Sequence, residues 1–159
     1  MKAASLKEIK QGLGELDQKQ LVAACLRLAK FKKDNKELLT YLLFEREDEE
    51  AYVNSVKEVL DEMFDEINKS NLYLIKKSLR KIVRTANKFI KYSEVESTET
   101  EILLHVAERI LGLNLNLRRH AALENIFLSL HKKILKSMVG LHEDLQYDYQ
   151  RRLRDLKGY

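Results

Sequence analysis

The chain has 159 residues, 45% hydrophobic and 34% charged, and Lys plus Arg exceed Asp plus Glu by four, 29 against 25. It is too apolar for a disordered polymer, long enough for one domain with a continuous core, and short for two. Proline is absent, glycine occurs five times and cysteine once, which excludes a turn-rich all-β fold, an internal disulfide framework and any Cys-x-x-Cys metal or redox motif.

Helices therefore carry the reading. Ser5 followed by Glu8 has the form of a capping box, with Leu6, Ile9 and Leu13 on one face of a short first helix. Asp17 caps the next, where Leu21, Val22, Cys25, Leu26, Leu28 and Ala29 form a broad apolar stripe and predict burial. Asp34 and Glu37 offer a third start. Leu38, Leu39, Tyr41, Leu42, Leu43 and Phe44 then leave too few polar positions for a surface helix, which places them at the centre of an N-terminal core. The run Glu47-Asp48-Glu49-Glu50 opens the fourth helix, where exposed N–H groups and the helix dipole favour negative charge. Val53, Val56, Leu60, Phe64 and Ile67 continue it at helical spacing to about Asn68.

The fifth helix, residues 71–92, NLYLIKKSLRKIVRTANKFIKY, organises the chain. Its seven cations, Lys76, Lys77, Arg80, Lys81, Arg84, Lys88 and Lys91, are answered by no acidic residue within it. At about 100° per residue they share an arc of roughly 140°, opposite an apolar arc of roughly 120° around Leu79 and Ile82. Residues 45–66 just before it carry ten acidic side chains against two basic ones, a net of −8. Ser70 or Asn71 caps the basic helix, and the short turn makes the two segments an antiparallel hairpin.

Residues 93–101, SEVESTETE, are polar and acidic and read as a flexible loop, with Thr98 and Glu101 as a second capping box before Ile102, Val106 and Ile110. LGLNLNL reads as a turn in which Asn114 or Asn116 caps a helix through Leu123, Phe127, Leu130, Ile134 and Met138, and Gly140 suits the position that ends it. Leu145, Tyr149, Leu153 and Leu156 mark a last, peripheral helix ending in the cluster Arg151, Arg152, Arg154 and Lys157. The expected fold is all-α: one domain over residues 1–159, six to eight helices in antiparallel hairpins, as an irregular bundle or a short helical-repeat stack. Leu39, Leu42, Leu79, Ile82, Phe89, Val106 and Phe127 are its expected core.

Chemistry finds little purchase. No His follows an acidic residue at i, i+3, as a di-iron bundle requires. His120 and Glu124, like Glu101 and His105, share a face at i, i+4, a spacing frequent in any helical protein, so no metal is expected. Cys25 sits on an apolar stripe away from any His and reads as a buried, inert thiol. Glu58, Asp61, Glu62 and Asp65 read as solvation or ion pairing, and Gly12-Leu13-Gly14 lacks the rest of a phosphate loop. The expectation is a non-enzyme without cofactor. The start MKAASLKEIK has no apolar signal-like region, and no stretch of about eighteen apolar residues occurs. A cytoplasmic protein without membrane association is expected.

Residues 16–44, LDQKQLVAACLRLAKFKKDNKELLTYLLF, followed by the acidic EEAYVNSVKEVLDEMFDEI, resemble the opening of small bacterial all-helical families of unknown function. The likeness lies in the order and apolar spacing of the elements over the first half of the chain. It implies a bacterial, cytoplasmic helical domain and carries no functional residue across.

Two functions follow. The expected one is a non-enzymatic interaction or scaffold module with a protein partner and the charged hairpin as its surface, the near cancellation of +7 and −8 making the two helices a structural unit. If the stripe is left uncovered, it is a nucleic-acid-binding surface, extended by the C-terminal arginines, with Tyr73 and Tyr92 stacking on bases at its two ends.

Overall fold

Side-chain caps set most of the helix starts that the sequence marks. Ser5 and Glu8 form the reciprocal capping box of α1 (Leu6–Gly14), and Asp17 and Gln20 form one for α2 (Gln18–Phe31). Asp48 accepts from Ala51 N to open α4 (Glu49–Asp65), and Asn71 accepts from Tyr73 N to open α5 (Leu72–Ser93). Between α2 and α4 lie α3 (Lys33–Thr40), which begins without a side-chain cap, and a π-helical turn, Tyr41–Glu45. The remaining elements are α6 (Glu96–Gly112), a 3₁₀ turn (Leu117–Arg119) capped by Asn116, α7 (Ala121–Ser137) and α8 (Glu143–Asp155). This computed structural model describes residues 2–156, and no strand occurs among them. The fold is all-α. Lys157 of the C-terminal basic cluster lies outside the described residues.

The chain divides into two compact units, one up to Phe44 and one from Glu45 onward. In the second unit α6 is the centre: α4, α5, α7 and α8 all pack on it. Ile102, Leu103, Leu104, Val106, Ala107 and Ile110 are buried on every side of it, as a helix surrounded by others requires. Leu60 and Phe64 from α4, Leu79 and Ile82 from α5, Phe127 and Leu130 from α7, and Leu153 from α8 close the core around it. Four helices about a fifth is a bundle; in a repeat stack each unit touches only its neighbours. Phe89, expected inside, is only half-buried at the edge of α5.

Residues 93–101 are not a loop. Glu94, in the left-handed region at φ 58°, ends α5, and α6 begins two residues later at Glu96. Thr98 and Thr100 are buried. Thr98 Oγ1 donates to Glu49 Oε2 at 2.7 Å, and Thr100 Oγ1 donates to Ser137 Oγ at 2.8 Å. These polar side chains are satisfied by partners on other helices, which local composition does not reveal. The Thr98–Glu101 pair is therefore mid-helix and caps nothing. Gly140 does not end α7 in a left-handed conformation either, since no described glycine has positive φ. It is a point of close approach, because a Cβ there would run into the Glu96 carboxylate.

The first unit departs furthest from expectation. α2 and α3 pack on each other, and Asn35 Nδ2 donates to Leu28 O at 2.9 Å across their corner. Yet among its described residues only Tyr41 is buried. Leu39 is half-buried and Leu42 exposed, and Leu28, Phe31 and Phe44 are 60%, 76% and 79% exposed. An apolar stripe names the face that avoids water, and three short helices supply too little surface to cover it. Cys25, expected as a buried thiol, is exposed.

Candidate nucleic-acid interface

The core-facing residues of α5, Ile75, Leu79, Ile82, Ala86 and Ile90, turn its apolar arc onto α6 and so fix the direction of its cations. Val83 and Arg80 line an open groove shared with α7, and Lys133 Nζ on α7 donates to Asn87 Oδ1 at 2.7 Å. Tyr73 and Lys76 line a second hollow with His120 and Ala121 at the start of α7. Stepping about 100° per residue from these markers puts Lys76, Arg80, Arg84 and Lys91 on the α7 flank of α5, and Lys77, Lys81 and Lys88 on its outer face. The opposite flank, toward α4, holds Ser78, Thr85 and Phe89, with no cation.

α4 turns its charge the other way. Asp61 Oδ1 lies 2.7 Å from His105 Nε2 and 3.0 Å from Arg109 Nε, and Arg109 Nη2 donates to Asp65 Oδ1 at 2.7 Å. Lys57 on the same side donates to Glu101 at 2.6 Å. All four contacts run to α6. Among the bonds that join α4 to α5, Tyr52 Oη donates to Phe89 O at 2.9 Å and Ser93 Oγ donates to Glu49 Oε2 at 2.8 Å. The charges of Lys57, Asp61 and Asp65 on α4 are thus turned to α6 and not to the basic stripe. Among the described residues none of Lys76, Lys77, Arg80, Lys81, Arg84 and Lys91 is ion-paired with a carboxylate. Lys88 stands over the Phe89 and Tyr92 rings.

α7 extends the positive face in a way the sequence reading missed. Lys133 and Lys136 fall on its α5 flank and Lys132 points outward, all three exposed. Their only signal in the sequence is the run HKKILK at helical spacing. Other candidates are accounted for elsewhere. Arg152 binds Glu108 through Nε and Nη2 at 2.9 to 3.1 Å and Glu101 through Nη1 at 2.6 Å, holding α8 to α6. Burial pushes the Glu101 carboxyl up, but bonds and charge from Lys57 and Arg152 outweigh it and hold it below the usual range. Tyr149, beside this network, is raised by burial and by the Glu101 charge. Tyr92 is half-buried edge-on to Phe89 at 6.0 Å and offers no open ring, whereas Tyr73 is 62% exposed.

Glu101 and His105 are therefore engaged with Lys57, Arg152 and Asp61, and no cluster of three or more metal-ligating side chains occurs among the described residues. Comparison of the chain with protein-family models, with curated proteins and with solved structures returned no match.

Proposed function

We propose that this is a non-enzymatic binding protein whose α5–α7 face holds the phosphate backbone of a nucleic acid. One observation carries the reading: the α5 cations face α7 and solvent, while Asp61 and Asp65 of α4 pair with His105 and Arg109 of α6. From Lys76 to Lys91 the stripe runs about 22 Å at about 1.5 Å per residue, and the lysines of α7 widen it. A basic strip in which Lys76, Lys77, Arg80, Lys81, Arg84 and Lys91 pair with no carboxylate among the described residues concentrates polyanions and releases their counterions on contact. The test is filter binding at two salt concentrations with wild type and with the triple variant Lys77→Glu, Arg80→Glu, Arg84→Glu. Wild-type affinity should fall in log–log form by roughly 0.7 to 0.9 per phosphate neutralised, and the variant should lose that slope. A wild type that shows no saturable binding at low salt would refute the reading.

A protein partner is the second reading, and the first unit favours it. Leu28, Phe31, Leu43 and Phe44 expose more apolar surface than a small helical unit leaves to water without use. A photo-cross-linking residue at Phe44 should then capture one protein stoichiometrically in the native cell, and Leu28→Asp with Phe31→Asp should abolish the adduct. No helix among the described residues is long and apolar enough to cross a membrane. A bacterial, cytoplasmic setting belongs to the same proposal.

A further inference from the structure

The groove between α5 and α7 measures about 370 Å³, within the range of about 300 to 1,000 Å³ typical of small-molecule sites. Its walls are of two kinds. Val83, Ala122, Ile126 and Leu130 make an apolar floor, flanked by Arg80 on α5 and by Lys133 on α7, whose Nζ reaches across to Asn87 Oδ1 of α5 at 2.7 Å. Between them lie Asn125 and Ser129, whose side chains form no hydrogen bond among the described residues and are exposed.

We infer that this groove receives an unpaired nucleobase, so that the nucleic acid selected by the face is single-stranded. The inference rests on the nucleic-acid reading above. A phosphate belongs on the rims, because an anion pressed onto the apolar floor loses its hydration without a partner. A base is the group of a nucleic acid that suits the floor: its faces are apolar enough to pack on Val83 and Ile126, and its edge presents donors and acceptors to Asn125 and Ser129. Arg80 and Lys133 then meet the phosphates on either side of the inserted nucleotide. Lys76, Arg80 and Arg84 repeat every four residues along the α5 rim, one cation per about 6 Å, so an extended strand finds a charge at each step. Tyr73, exposed in the neighbouring hollow under Lys76, offers its ring to the next base along. A duplex cannot use the groove without extruding a paired base, which costs it pairing and stacking.

The test compares oligothymidylate long enough to span the stripe, a duplex of equal length, an abasic strand of equal length, and polyglutamate. It uses full-length wild type and the variant Ala122→Leu with Ser129→Leu, both exposed helix positions where Leu fills the groove and keeps the fold, checked by circular dichroism. Wild type should prefer oligothymidylate over the duplex and the abasic strand by about tenfold, the scale of one stacked base. The variant should bind all three nucleic acids equally and keep the salt slope. Equal wild-type affinity for oligothymidylate, duplex and abasic strand would overturn the groove inference while leaving the phosphate-binding face standing. Failure to bind any nucleic acid would remove both. Polyglutamate binding tighter than oligothymidylate, lost in the groove variant, would replace the base with an acidic peptide.

Discussion

Asp61 on α4 lies 2.7 Å from His105 on α6, and Asp61 and Asp65 pair likewise with Arg109, on the side of the acidic helix turned away from the basic one that follows it. Two adjacent helices of opposite charge therefore present their charges to different neighbours. The bond energy of the hairpin comes from apolar packing on α6, with the stripe contributing little to folding. Reversing Lys77, Arg80 and Arg84 to Glu should change the unfolding free energy by less than about 1 kcal/mol, because exposed charges that lack partners have little to lose. Urea unfolding at moderate salt measures this. A loss above about 2 kcal/mol would show the stripe to be a structural counterpart of α4.

Core and periphery should separate sharply under truncation. Leu79 is fully buried against α6, so Leu79→Ala should cost about 2 to 5 kcal/mol through lost transfer energy and the cavity left behind. Leu42, exposed in the first unit, should cost under about 1 kcal/mol on the same substitution. The two urea curves, run side by side, decide both.

Acid should loosen α8. The Glu101 carboxyl is held below its ordinary value in the folded protein, so its share of stability is fully present above the unfolded value of about 4.3. That share disappears as pH falls through the depressed folded value. Glu101→Gln should then lower stability at pH 7 by about 1 to 2 kcal/mol, the pair being only partly buried. Between pH 7 and pH 3 the variant should lose less stability than wild type. Identical pH slopes for the two proteins would contradict the assignment.

Cys25 is exposed beside the apolar groove of α2 and α3. The native protein should titrate one thiol with an aromatic disulfide reagent in the absence of denaturant, at a rate close to that of the unfolded chain. Protection that vanishes only in urea would return Cys25 to a buried position.

The periodicity of apolar residues and the capping side chains were sufficient for the all-α class and for the starts of α1, α2, α4 and α5, because both are local properties of the chain. The Asn71 cap and the arc around Leu79 needed no partner to be recognised. Burial in the first unit was misread, because a stripe such as Leu21, Leu28 and Leu38 states which face is apolar and says nothing of what covers it. The start of α6 was misread for the converse reason: Thr98 and Thr100 look like surface residues until Glu49 and Ser137 arrive from other helices to accept their hydroxyls. The candidate site was half legible. Its seven α5 cations stood in the sequence, but whether the acidic helix covers them depended on the rotation of both helices about their axes, and that rotation is set by the apolar faces seeking a third helix, α6, some thirty residues further along the chain. The groove, with Arg80 from α5 and Lys133 from α7 in its lining, exists only because α7 packs beside α5.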